Sequence, residues 1–153
     1  MLNLLSFFRL VAVCYLLLIF ASDLSAEPKI KSIRAMLFYQ NTGKFSEDVF
    51  TTPSDLWNVS FDYVYSTFVV VETESEPDFN SRHRLEFFAV YQPLEGKQKI
   101  IVRKTAALWF DEKGRSFSGF WLDNVGCDPV KLSANIKGQK KIMRKTINFG
   151  CGE

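Results

Sequence analysis

Residues 130–149 read VKLSANIKGQKKIMRKTINF, and this stretch sets the fold class that we expect for the whole chain. Apolar residues alternate with polar ones on both sides of the polar segment 137–140. A period of two is typical of β-strands that bury one face. The stretch therefore predicts a hairpin of two strands, Val130 to Ile136 and Ile142 to Phe149.

The same alternation suggests how the two strands pair. A slip of one residue would turn an apolar set to solvent, so the apolar sets of both strands must share a face. We expect Leu132 to lie opposite Ile147 and Val130 to lie opposite Phe149.

Similar short runs rich in Val, Ile, Phe, Tyr and Trp recur along the chain at intervals of roughly ten residues. The further expected strands are Ile30 to Tyr39, Thr67 to Glu74, Arg84 to Gln92, Gln98 to Lys104 with a continuation toward Phe110, and Phe117 to Leu122. Residues 45–66 are interpreted as a loop containing Trp57, followed by a short strand. No helical stripe persists beyond one turn. The pattern predicts an all-β chain folded as a single antiparallel β-sandwich, immunoglobulin-like, with seven to nine strands.

Asp111-Glu112-Lys113-Gly114 is the clearest turn signal, because Asp favours the first turn position and Gly accepts a positive φ. Trp109 and Trp121 lie on opposite sides of this turn, as do Phe110 and Phe120, and both pairs are centred on position 115. We therefore expect one of these two pairs to face each other across a hairpin.

Composition excludes several classes of protein. The chain has 153 residues with a formal net charge of +2, and 47% of its residues are hydrophobic. Nucleic-acid binders usually have a strongly basic domain, which argues against a nucleic-acid partner. The apolar content is too high for a disordered chain, and the length suits one domain.

The N-terminal residues have the pattern of a secretory signal peptide. Arg9 precedes an apolar run that ends in the small and polar residues 22–26. We expect cleavage after Ala26, which leaves residues 27–153 as the β-sandwich domain of an exported protein, periplasmic or secreted. The alternative is an uncleaved anchor, and a membrane association is expected only in that case.

Cys127 and Cys151 are the two cysteines outside the expected signal peptide. Two cysteines in an exported chain indicate a disulfide, here one that ties the C-terminal strand to the start of the last hairpin.

Few residues suggest catalysis. His83 is the only histidine and lies between two arginines, and no serine has a nucleophile motif around it. We therefore expect no catalytic residues, no metal site and no cofactor. Acidic residues cluster near Glu74, where a solvated loop is favoured over a calcium site.

Two groups of residues are candidates for ligand contact. The basic group could bind an anionic partner or could protect a sheet edge from aggregation, and it comprises Lys137, Lys140, Lys141, Arg144 and Lys145. The aromatic group could form core or an exposed strip for sugar or peptide, and it comprises Trp57, Trp109 and Trp121.

The residues favour a small exported binding or interaction domain without catalysis, whose partner is a protein or an anionic envelope polymer. Two alternatives stay open. One is a carboxylate-based hydrolase acting on carbohydrate, for which a lone small domain leaves little room for a cleft. The other is a membrane-anchored structural protein of the cell envelope.

Overall fold

The computed structural model describes residues 27–53, 66–77, 82–93, 96–123 and 128–149. Within these ranges the protein is all-β, which confirms the predicted class. Eight strands are present in this part of the chain, within the expected seven to nine. They are β1 (Lys29–Tyr39), β2 (Lys44–Phe45), β3 (Ser66–Glu74), β4 (Arg84–Tyr91), β5 (Lys99–Ala107), β6 (Arg115–Leu122), β7 (Val130–Ile136) and β8 (Ile142–Ile147).

The strands form two antiparallel sheets of four. Sheet A has the order β2-β1-β3-β6, and sheet B has the order β5-β4-β7-β8. Neighbours within a sheet are often distant in sequence, as in the pairing of β3 with β6. The short strand β2 was not predicted.

The core lies between the two sheets and follows the alternation of each strand. Ile33, Ala35 and Leu37 of β1 are fully buried, while the residues between them turn outward. Phe87 of β4 stacks on Phe120 of β6, with ring centroids 4.3 Å apart and an angle of 7° between planes. Full burial of such a side chain stabilises the fold by about 1.5–3 kcal/mol, so the apolar inner faces hold the sheets together.

The chain changes sheets between β5 and β6. Leu108 and Phe110 are both buried where it crosses, and β5 ends at Ala107. The expected pairings across the following turn are therefore wrong. Trp121 pairs with Phe68, and Phe120 pairs with Val69, both in β3.

The turn itself is confirmed at Asp111 to Gly114. The Gly114 amide donates to the Asp111 carbonyl at 2.8 Å, and Gly114 has φ of 68°. A Cβ atom on Gly114 would overlap the carbonyl oxygen of Ser75, so this glycine is required by space as well as by φ. The turn thus anchors the start of β6 against the end of β3.

The expected register of the last hairpin is wrong by two residues. Val130 pairs with Ile147, and Leu132 pairs with Lys145. The ladder between β7 and β8 ends with Asn135 opposite Ile142, and the Gln139 amide then closes a turn on the Ile136 carbonyl. A two-residue slip keeps every side chain on its face, so alternation alone does not distinguish the two registers.

Candidate functional site

Aromatic side chains gather on the outer face of sheet A, across all four strands. We call these side chains, together with Met36 beside them, the aromatic face; it comprises Met36, Phe38, Phe45, Phe68 and Trp121. The five contacts among its rings have centroid distances between 4.8 Å and 6.0 Å. Trp121 is 43% exposed and Phe45 is 48% exposed, so rings that contact one another still present a large apolar surface to solvent.

Strand register explains why these residues meet. Met36 lies opposite Phe68, and Phe68 lies opposite Trp121, so one row crosses three strands. The turn after β1, in which the Gly43 amide donates to the Tyr39 carbonyl at 2.8 Å, brings Phe45 opposite Phe38. The aromatic face therefore results from sheet order, and not from any local sequence motif.

A glycine makes room for one of these rings. Gly119 of β6 lies beside Phe68, and a Cβ atom there would stand 2.6 Å from Phe68 Cζ. The Phe68 ring therefore lies over the backbone of β6 and contacts Trp121 at 4.8 Å. Phe117, 50% exposed, continues the outward row of β6 beyond the glycine.

The other end of the same face is charged. Lys29 Nζ lies 3.1 Å from Glu74 Oε1, and Lys31 Nζ lies 3.7 Å from Glu72 Oε1. The hydrogen bond from Lys29 is the main cause that lowers the pKa of Glu74 below its ordinary value. The Ser32 hydroxyl also donates to Glu72 at 3.2 Å. The predicted acidic cluster is thus partly neutralised by lysines of β1.

The five basic residues singled out from the sequence do not form one patch. Lys137, Lys140 and Lys141 are exposed in the loop between β7 and β8. Arg144 lies on the outer face of sheet B, opposite Ser133. Lys145 lies on the opposite face of β8, with its Nζ 4.2 Å from the centroid of the Phe50 ring. Only the three loop lysines and Arg144 therefore present their charge to the outside.

Further arginines join Arg144 on sheet B. One row crosses the sheet from Arg144 through Ser133 and Phe88 to Arg103, whose guanidinium carbon lies 5.4 Å from the centroid of the Phe88 ring. We call the cations of this outer surface the basic face; they are Arg84, Arg103, Lys131 and Arg144. Within the described ranges none of them has a carboxylate partner, because the four ion pairs found there lie on sheet A and at the Asp111 turn.

The candidate tryptophans have different environments. Trp121 belongs to the aromatic face, whereas Trp109 is 62% exposed in the crossing between the sheets. The Trp109 amide donates to Ser116 Oγ at 3.2 Å. Trp57 and the proposed disulfide cysteines, Cys127 and Cys151, lie outside the described residues.

Sequence reasoning missed Phe38, Phe45 and Phe68. In β3, Val69 and Val71 are buried, while Phe68 and Val70 turn outward. Strict alternation of Thr67, Phe68 and Val69 already placed Phe68 on the opposite face from Val69. That signal identifies a face of the strand but does not identify its neighbours.

The described part of the chain contains no group of three or more His, Cys, Asp or Glu side chains able to hold a metal ion. Nor does any helix of sufficient length and hydropathy to span a membrane occur in that part.

Comparisons of the chain with known protein families, with curated proteins and with solved structures found no match.

Proposed function

We propose that this chain is an exported, non-catalytic binding domain that docks a partner protein through its aromatic face. The observation that carries the proposal is the cluster of contacting, partly solvent-exposed rings on a sheet whose opposite face already forms the core. Partner interfaces are enriched in Trp, Phe and Met at their centre and in charged groups at their rim. The aromatic face and the ion pairs of Glu72 and Glu74 follow this arrangement.

Ring geometry favours a protein surface over a sugar. Planes in the cluster meet at angles between 33° and 82°, so the rings do not form one flat platform on which a sugar chain would lie. The next row of the face carries Arg34, Val70 and Gly119, of which only Arg34 has side-chain donors for sugar hydroxyls. The partner surface that fits is apolar and shaped to tilted rings.

Strand order supports an immunoglobulin-like sandwich as the scaffold of this domain. Apart from β2, the orders β1-β3-β6 and β5-β4-β7-β8 correspond to A-B-E and C′-C-F-G of that architecture. Such sandwiches present binding surfaces on faces, edges and loops, so the fold is compatible with a binding role but does not specify one.

Export is part of the same proposal and rests on residues 1–26. Their single arginine, apolar run and small-residue end are those of a secretory signal, and the predicted cleavage after Ala26 leaves two residues before β1. The intact mass of the protein purified from its natural source tests this directly. A mass that includes residues 1–26 would instead favour the anchored envelope protein.

A second candidate function has its own observation. The cations of the basic face, which have no carboxylate partner among the described residues, could attract an anionic envelope polymer or lipid surface. This function and protein docking use opposite faces of the molecule, so the two can be tested separately. The hydrolase alternative gains no support from Glu72 and Glu74, whose carboxylates contact lysines.

The test begins with a photo-crosslinking amino acid at position 45 and, as a control, at the exposed Ile100 of sheet B. The partner captured at position 45 is identified, purified and titrated against the domain by calorimetry. We expect Phe45→Ser and Trp121→Ser each to weaken binding at least tenfold, as is common for central interface residues, and Ile100→Ser to leave it unchanged. Equal loss in all three variants, or a partner captured only at position 100, would overturn the proposal.

A further inference from the structure

The two edges of sheet A differ in whether their outward backbone N–H and C=O groups are hydrogen-bonded. Beyond β2, the Ser46 amide donates to the Leu37 carbonyl and the Val49 amide to the Ala35 carbonyl, both at 2.9 Å. These bonds occupy the open side of β1. At the opposite edge of the sheet, one side of β6 pairs with β3. No strand of the described ranges pairs with its outer side.

The side of β6 that no described strand covers also lacks the usual protection against pairing. Sheet edges are commonly guarded by Lys, Pro or short length. The edge strands of sheet B follow this rule, with Lys99, Arg103 and Lys104 in β5 and Arg144 and Lys145 in β8. Residues 116–122 read SFSGFWL and contain no charge and no proline. The edge is therefore chemically suited to accept another strand.

The hydrogen-bond pattern identifies which backbone groups face outward. The Ser75 amide donates to the carbonyl of Gly114, and these residues lie opposite each other in the register of β3 with β6. Bonded pairs alternate along an antiparallel ladder, so Ser116, Ser118, Phe120 and Leu122 direct their backbone groups toward β3. The N–H and C=O groups of Phe117, Gly119 and Trp121 are directed to the open edge.

We propose that β6 pairs with β6 of a second copy of this chain, antiparallel, with Gly119 opposite Gly119. This register places Phe117 opposite Trp121 of the second copy and brings Asp123 of the second copy near Arg115, whose amide and carbonyl bond Asp111 of its own chain. All three outward-directed residues of each strand then lie in bonded pairs. The register also matches an apolar ring with an apolar ring and a positive charge with a negative one.

The resulting assembly is symmetric about a two-fold axis, which closes it as a dimer. Sheet A becomes a continuous sheet of eight strands, and the two aromatic faces lie on the same side of it. Trp109, whose amide bonds Ser116, flanks the new contact. The inference goes beyond the proposed function and does not rest on it, because pairing uses backbone groups of β6 while docking uses the rings of the aromatic face, of which only Trp121 lies on β6.

Sedimentation of the full domain over a wide concentration range tests the pairing. We expect a monomer–dimer equilibrium for the natural sequence. Phe117→Lys places a charge on the edge and should raise the dissociation constant at least tenfold. The matched control is Ile100→Lys, which adds the same charge at an exposed apolar residue of sheet B and should leave dimerisation unchanged. A natural protein that stays monomeric at millimolar concentration, or equal effects of both variants, would overturn the proposal.

A third variant tests the register. Asp123→Arg brings like charges together beside Arg115 of the second copy and should raise the dissociation constant two- to fivefold. If Phe117→Lys breaks the dimer and Asp123→Arg has no effect, the Gly119-centred register is wrong. Hydrogen exchange completes the test: the Gly119 amide should gain protection with protein concentration. Protection that is equally strong in dilute monomer would mean that the chain covers its own edge, which also overturns the proposal.

Discussion

On the outer face of sheet A, a row across three strands carries Met36, Phe68 and Trp121, whereas the row across sheet B carries Arg103, Phe88 and Arg144. The inner faces of the same strands are alike, with Leu, Ile, Val and Phe in contact across the core. This contrast shows that the alternation along each strand has two separate roles, one for each face of the sheet. Inward positions determine stability, and outward positions are free to specify two different surfaces.

The largest expected effect separates these roles. Phe87→Ala removes the ring that stacks on Phe120 between the sheets and should lower the free energy of unfolding by about 3–5 kcal/mol. Phe45→Ala, on the aromatic face, should lower it by only about 1 kcal/mol. Urea denaturation of both variants measures the difference. Equal losses would mean that the aromatic face serves stability, and the division between inner and outer positions would fail.

The next prediction concerns the charge of the basic face. Arg144→Glu should weaken binding to vesicles rich in anionic phospholipid about tenfold at low salt, because each surface cation contributes about 1 kcal/mol to such binding. Arg34→Glu makes the same change on the outer face of sheet A and is the matched control. Identical behaviour of the two variants would show that net charge, and not the basic face, controls the attraction. Absence of vesicle binding by the natural protein in low salt would remove this candidate function.

The strands were predictable because each carries its own alternation. Val130–Ile136 was expected with its observed ends, and the turn at Asp111 was expected from Asp and Gly alone. Register was not predictable where two choices preserve the same faces, as for Leu132 opposite Lys145 instead of Ile147.

The aromatic face was not predictable for a different reason. Its residues come from β1, β2, β3 and β6, and the neighbour of β3 in the sheet is β6, which lies about forty residues further along the chain. A turn signal at Asp111 suits a hairpin and a change of sheet equally well. Burial of both Leu108 and Phe110 marks the change of sheet, and burial is a property of the folded chain.

A smaller effect is expected where a glycine supports the aromatic face. In Gly119→Ala the new Cβ would lie 2.6 Å from Phe68 Cζ, so the Phe68 ring must move away. We expect this movement to lower the free energy of unfolding by about 1 kcal/mol. The Trp121 indole resonance should shift, because its contact with Phe68 changes. Gly138→Ala in the loop between β7 and β8, at φ of 91° with open space around it, strains the backbone and should leave that resonance in place. A shift of equal size in both variants would show that the Trp121 indole resonance responds to a general loss of packing, and not to its contact with Phe68.

The smallest expected effect is a pH-dependent loss of stability at the turn that leads into β6. The turn at Gly138, between β7 and β8, serves as the comparison. Asp111 Oδ1 accepts the amides of Arg115 at 2.8 Å and Lys113 at 2.9 Å, and the bond from Arg115 is the main cause that lowers the pKa of this carboxyl. Because the pKa is lower in the folded state, the stabilisation is complete above the ordinary Asp value of about 4 and is lost as pH falls through the folded value.

Asp111→Asn should therefore lower the melting temperature slightly at pH 7, and the difference from the natural protein should shrink below about pH 4. Glu74 titrates in the same range but is present in both proteins, so the difference isolates Asp111. Exchange of the Arg115 amide should accelerate on acidification relative to the intrinsic rate. The Gln139 amide, which bonds the Ile136 carbonyl and no carboxylate, should keep its protection over the same range. Parallel loss at both amides would mean that acid loosens the whole molecule, and the two turns would then share one stability instead of having separate ones.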